Sequence, residues 1–261
     1  MIDISLKELK SFWRSEMRLL THKWKCALCQ CTSLISENLA GRHISSSANV
    51  SLKNVFSDDN KTAVQKKLST YTNKIPGRFK KEGARNASVL IPLCTVNKEP
   101  SLLFMVRPMT LAQHRGEVCF PGGKEDDGDR DVIHTALRET HEEIGLQEDD
   151  VDIWGQMTPI PSNRDGSLNV VPIIGYCGEI DLNSLYLNKD EAASVFTRSI
   201  DSLCTNVHST QFRRDIKSVE GYTLPVYTGG QHRIWGLTAI FVHQLLGLIV
   251  PELYHFKLRH R

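Results

Sequence analysis

The chain of 261 residues carries almost no excess charge. Its 32 Lys and Arg stand against 30 Asp and Glu, a formal +2. Proteins that track phosphate backbones concentrate far more positive charge, so nucleic-acid steering is not expected. Long apolar runs are missing too. The longest, residues 235–250, is short for a bilayer span and contains His243 and Gln244, which fits a buried helix and no membrane span. Cysteine spacing lacks a framework. Cys26, Cys29 and Cys31 form a C-x-x-C-x-C cluster near His22, but no second C-x-x-C completes a zinc site. Cys94, Cys119, Cys177 and Cys204 are scattered. This pattern suits a reducing compartment better than a disulfide-stapled fold.

Acidic side chains are scarce in one region. From Met17 to Ala48 the only one is Glu37, while basic and hydroxyl residues abound. That is the composition of a mitochondrial presequence, with Arg42 before His-Ile-Ser-Ser-Ser resembling a processing site. Residues 1–16 mix both signs of charge, which leaves Met17 as an alternative start. The expectation is a matrix protein, with the cytoplasm as the alternative. The terminal Leu-Arg-His-Arg is unlike a peroxisomal tripeptide.

The organisation expected is a presequence-like segment over 1–50, a polar linker or arm over 51–84, one domain over 85–252 and a basic tail over 253–261. Within the domain, 87–94 and 101–106 are short apolar, β-rich runs around a polar turn and read as an antiparallel pair. Residues 151–157, 170–176 and 223–227 read as further strands, and 191–196 as a short helix or edge strand. Trp235 to Leu248 reads as a long apolar helix, with Trp235 a core anchor. Strands interrupted by two good helices argue for an α/β sandwich.

The densest chemistry lies in residues 122–146. A turn at Gly122-Gly123 leads into a helix, with Asp129 the expected N-cap and Gly145 the expected left-handed stop. Ile133, Ala136, Leu137, Thr140 and Ile144 recur at helical spacing as the packed stripe. Glu139, Glu142 and Glu143 fall on a separate narrow arc. Carboxylates so spaced repel one another unless a cation sits among them. Oxygen ligands of this kind suit Mg²⁺ or Mn²⁺. Glu139 and Glu143 are the first-choice ligands. Glu142 is either a third ligand or the i+4 partner of Arg138. A solvated acidic face is the plain alternative.

Gly123, Arg138, Glu139, Glu142, Glu143, Gly145 and Leu146 resemble the signature of the Nudix hydrolase family, G-x5-E-x7-R-E-U-x-E-E-x-G-U with U a bulky apolar residue. Asp129 stands at the first acidic position, Thr140 replaces an apolar residue, and the gap from Gly123 to Arg138 is one residue longer. Leu102-Leu103, Arg107, Leu111, His114, Gly116 and Phe120-Pro121-Gly122-Gly123 are similar to a second signature that marks the coenzyme A diphosphatase branch. Residues 232–239 are similar to its closing motif. Pro108 and Ala112 stand where that signature has Ser and Arg.

The resemblance implies a Nudix α/β/α sandwich with a mixed β-sheet between helices, and metal-dependent attack by water on the diphosphate of coenzyme A, giving phosphopantetheine and adenosine 3′,5′-bisphosphate. It also implies a base or extra ligand on a loop facing the metals, for which Glu191 is the candidate. Arg107, His114 and Arg115 are the expected phosphate contacts, since arginine offers bidentate geometry. Gly122 and Gly123 would let backbone N–H groups approach an anion. The partner expected is a small nucleotide. The rivals are another nucleoside diphosphate such as ADP-ribose or a dinucleotide, and a silent nucleotide-binding domain.

Overall fold

A computed structural model describes residues 52–72, 84–162, 167–213 and 221–258. The presequence-like segment, the cysteine cluster at 26–31 and the end of the basic tail lie outside the described residues.

The elements in chain order are α1 (Asp58–Thr72), β1 (Arg85–Val96), β2 (Glu99–Val106), β3 (Val118–Cys119), β4 (Gly122–Lys124), α2 (Val132–Ile144), β5 (Asp152–Gln156), β6 (Ile160–Pro161), β7 (Leu168–Glu179), β8 (Ser194–Ser199), α3 (Ile200–Thr205), β9 (Val207–Arg213), β10 (Gly221–Tyr227) and α4 (Gly236–Ile249). Among the described residues, short 3-10 turns occur at Leu52–Asn54, Glu148–Asp150 and Leu182–Ser184. The main sheet runs β3-β2-β1-β7-β5, with β4 on β1, β6 on β7 and β8 on β2. The β1–β7 pair is parallel and the others are antiparallel.

The expected hairpin forms through Asn97-Lys98, both at positive φ (52° and 66°). Such a two-residue turn matches the twist of its flanking strands. β1 and β2 then pair only over Leu93–Val96 and Glu99–Leu102. Beyond that they part. β4 takes the free edge of β1 at Ala87–Val89, and β3 pairs with the end of β2. The stretch that carries the glycine turn is therefore strung across the fork.

Period-two alternation explains the two cores. Leu90, Cys94, Leu103 and Met105 face α2, packing with Ala136 and Ile144. Ile91, Leu93, Leu102, Phe104 and Val106 face the other way, onto α4. Strands buried on both faces read as nearly continuous apolar runs. This is why 87–94 and 101–106 stand out in the sequence.

The stretch over 51–84 holds more structure than its polarity suggests. Val55, Val64 and Leu68 of this arm are buried in the α4-side core. Asn60 Nδ2 donates to Ile249 O at 3.0 Å and Lys67 Nζ to Leu248 O at 3.0 Å, satisfying carbonyls that the last turn of α4 leaves open. The strand at 223–227 pairs with β9 outside the main sheet. Residue 191 lies in a turn, and the strand expected there begins at Ser194. Trp235 is half-buried and holds the N-cap position of α4. Among the described residues no helix is long and apolar enough to cross a membrane.

Candidate active site

The N-cap of α2 is Asp131, two residues later than expected. Its carboxylate accepts from the backbone N–H of Ile133 at 2.9 Å and His134 at 2.8 Å. The helix stops at Gly145, whose φ of 75° is left-handed and whose N–H returns to His141 O. Displaced from the cap, Asp129 turns its carboxylate onto Arg138. It takes Nε at 2.9 Å and a terminal nitrogen at 3.0 Å, the bidentate geometry that arginine favours. This pair holds the Asp129 carboxyl well below the usual carboxylate range.

The buried face of α2 is Thr135, Ala136, Thr140, Glu143 and Ile144. Ile133 and Leu137, expected in the packed stripe, are only half-buried. Thr140 is accommodated at the apolar position because its hydroxyl donates back to Ala136 O at 2.6 Å. Glu143 thus lies within the packed face rather than on a solvated arc. It is 3% exposed.

That placement perturbs Glu143. Burial, opposed by the N–H of Gly122 and aggravated by Glu139, pushes its carboxyl up to about 8. Arg107 lowers it and Glu191 raises it further, so both sit within electrostatic range. Glu139 is raised too, by burial first, against the pull of Arg138 and with the repulsion of Glu142 and Glu191. Its side chain is 19% exposed and pairs with Arg138 at 3.0 Å. Glu142 points outward at 51% exposed and pairs with Arg138 at 3.2 Å, the i+4 arrangement expected of it.

Gly122 and Gly123 serve this cluster from within β4. The N–H of Gly122 donates to Glu143 Oε2 at 2.8 Å, so it meets the protein's own carboxylate rather than standing open to a phosphate. Gly122 has φ +145°, and a Cβ there would overlap the Ser88 carbonyl. A Cβ on Gly123 would overlap the Glu139 carboxyl. Gly122 lets β4 lie close against the backbone of β1, and Gly123 lets it pass against the Glu139 carboxyl.

Glu191 arrives by a backbone relay. Asn188 N–H donates to the Glu143 carbonyl at 3.0 Å, Glu191 N–H to Asn188 O at 3.0 Å, and Ala193 N–H to Val106 O at 2.9 Å. The turn is pinned between α2 and the end of β2. Glu191 is exposed, with Asn188 Nδ2 on its carboxylate at 3.2 Å.

Arg107 follows β2 directly and is half-buried. Its Nε is buried without a hydrogen-bond partner among the described residues. The same guanidinium reaches Cys119, whose thiol burial pushes up to about 12. His114, at φ 55°, pairs with Glu117 at 3.0 Å, and Arg115 is exposed beside it. These two lie along the loop beyond Arg107. The described cysteines Cys94, Cys119, Cys177 and Cys204 are free thiols.

The donor set fits a hard divalent cation. It is all oxygen, and burial and like-charge repulsion raise both Glu139 and Glu143, as expected of carboxylates drawn out of water. Among the described residues, no three His, Cys, Asp or Glu side chains already converge as a ready-made ligand group. Glu139 and Glu143 instead hold Arg138 and Gly122 as partners.

Comparison with known proteins agrees with this geometry. The model of the NUDIX domain matches residues 84–178. The chain is 42% identical over 173 residues to the mitochondrial coenzyme A diphosphatase of Mus musculus, a match covering 64% of this chain and 80% of that protein. It is 41% identical over 176 residues to the Homo sapiens protein of the same description, covering 66% and 73%. Against Nudix hydrolase 3 of Caenorhabditis elegans it is 39% identical over 228 residues, covering 80% and 93%.

Proposed function

The chain belongs to the Nudix hydrolase family, and from that premise we propose that it hydrolyses the diphosphate linkage of coenzyme A with Mg²⁺ or Mn²⁺. The substrate follows from the mouse and human relatives described as coenzyme A diphosphatases. The observation that carries the chemistry is the burial of Glu143 at 3% exposure beside Glu139 and Arg107. A bound cation would favour the ionised form of these raised carboxyls, and Arg107 lies within electrostatic range of Glu143 with its Nε unpaired.

Nudix hydrolases generally use divalent cations. Glu139 and Glu143 would hold the cation, with Glu191 near enough in electrostatic terms to join them or to take a proton from water. A cation bound there supplies positive charge against the diphosphate and acidifies water at neutral pH. The chain's own residues do the rest. Arg107 would meet a phosphate oxygen through its guanidinium. Gly122 fixes the rotamer of Glu143 by its N–H. Arg138 aligns Glu139 and Glu142. The mitochondrial descriptions of the mouse and human relatives support a mitochondrial location.

A parallel hydrolysis screen tests the proposal. Purified protein receives coenzyme A, its acyl and disulfide forms, ADP-ribose and a dinucleotide, with Mg²⁺ or Mn²⁺ and with chelator. The expected result is metal-dependent release of phosphopantetheine and adenosine 3′,5′-bisphosphate, identified by mass. Faster cleavage of ADP-ribose or the dinucleotide would overturn the substrate. No turnover of any diphosphate would leave a binding domain.

A further inference from the structure

Asp129 holds more hydrogen bonds than an ion pair needs. Oδ1 accepts from Arg138 Nε at 2.9 Å and from His134 Nδ1 at 2.9 Å. Oδ2 accepts from Arg138 at 3.0 Å, from Thr135 Oγ1 at 2.9 Å and from Asp126 N–H at 2.9 Å. A carboxylate offers about four lone-pair sites, so this one is saturated. Its side chain is 1% exposed. It has no free site for a cation, although it stands at the first acidic position of the family signature.

The saturation has a use further along the helix. Arg138 is shared: one edge is held by Asp129, while its terminal nitrogens reach Glu139 at 3.0 Å, Glu142 at 3.2 Å and the Lys124 carbonyl at 3.3 Å. The position of the guanidinium sets how much of the Glu139 charge it neutralises. Whatever it neutralises is unavailable to a cation. A guanidinium tethered to Asp129 cannot follow Glu139, whereas a loose one can.

We infer that His134 and Thr135 are positioning residues for the metal site. Neither touches Glu139 or Glu143 through a hydrogen bond recorded in the described residues. They hold Asp129, Asp129 holds Arg138, and Arg138 from that fixed place pairs with Glu139 at 3.0 Å. The cap at Asp131 makes this possible. By taking the N–H groups of Ile133 and His134, it frees Asp129 for the clamp. With Asp129 ionised, His134 must carry its proton on Nδ1 to donate. The inference rests on the proposed ligand role of Glu139 and Glu143.

The test uses the full chain and reads metal binding directly. Metal-free wild type, His134→Ala, His134→Asn and Glu143→Gln are titrated with Mn²⁺, free Mn²⁺ is followed by its paramagnetic resonance, and thermal midpoints, kcat and KM are measured alongside. Asn offers an amide N–H near the position of Nδ1. A group that hydrogen-bonds a ligand directly is typically worth about ten- to a hundredfold in metal affinity, and His134 acts through two further links. His134→Ala should weaken Mn²⁺ binding by about tenfold and lower kcat more than it raises KM, and His134→Asn should recover to within about twofold of wild type. Thr135→Ser keeps the hydroxyl and should bind as wild type. If Glu143→Gln weakens binding and His134→Ala does not, the positioning role is wrong and the metal site stands. If His134→Asn melts like wild type yet fails to recover affinity, the hydrogen bond is not the cause and the inference falls. If Glu143→Gln binds Mn²⁺ as wild type, the ligand assignment fails and takes this inference with it.

Discussion

Glu143→Gln removes one charge and little else. The amide oxygen of Gln can still accept the N–H of Gly122 that now meets Oε2 at 2.8 Å, and the volume barely changes. In the metal-free protein the native carboxyl is raised from 4.5 to about 8, chiefly by burial. One unit is worth about 1.4 kcal/mol, so the ionised form is disfavoured by on the order of 5 kcal/mol relative to the unfolded chain. The folded state therefore binds more protons than the unfolded state between these two values. Stability then falls as pH rises through that window. From pH 6 to 8 the wild type should lose up to about 3 kcal/mol, or about 6–12 °C in thermal midpoint for a domain of this size. Glu143→Gln should lack this slope, and Mg²⁺ should flatten it in the wild type, because a bound cation favours the carboxylate. Turnover should show the opposite pattern. If the cation supplies about 4 kcal/mol of transition-state stabilisation through this ligand, its loss costs about a thousandfold in kcat. The assays are thermal unfolding with chelator across pH 6–9 and product release with excess Mg²⁺. Equal pH slopes in the two proteins would refute the buried charge. Activity within a few-fold of wild type would refute the ligand.

Further outcomes follow from the same geometry. Gly123→Ala should fold but lose at least about tenfold in kcat, because its Cβ displaces the flexible Glu139 carboxyl rather than backbone; unchanged kinetics would contradict the close approach. Leu68→Ala should destabilise the enzyme by about 2–5 kcal/mol in urea unfolding, since Leu68 is 5% exposed in the α4-side core; a loss under about 0.5 kcal/mol would mean that α1 is not part of the folded unit. Coenzyme A should be cleaved about ten- to a hundredfold more efficiently than its dephospho form, the worth of one charge-assisted hydrogen bond. Arg115→Ala should shrink that ratio, read as kcat/KM for each substrate, because Arg115 is exposed on the loop beyond Arg107. Residues 17–44 fused to a fluorescent protein should reach mitochondria, and a diffuse cytosolic signal would overturn the presequence.

Much of the architecture was legible because it is written in periodicity. β1 and β2 are buried on both faces and read as apolar runs; α4 is apolar all round. The Gly145 stop and the i+4 pairing of Arg138 with Glu142 also depend on residues a few positions apart. α1 was less visible, since only Val64 and Leu68 of a polar helix reach the core. β9 and α3 were missed because their residues mix polar and apolar types and take their order from neighbours.

The acids, their spacing and the helix that carries them can be read from the order of residues alone, because a helix of known pitch turns spacing into direction. It did not decide what each acid does. Asp129 and Asp131 are both acids ahead of the helix. Only the path of the chain across the β1–β2 fork makes one the cap and the other the clamp on Arg138. Glu142 and Glu143 are adjacent and chemically alike. The sheet beneath α2 buries the second at 3% exposure and leaves the side chain of the first at 51%. That difference in solvation raises one carboxyl to about 8. Desolvation depends on every element packed around a group, and no local pattern of residues contains that sum.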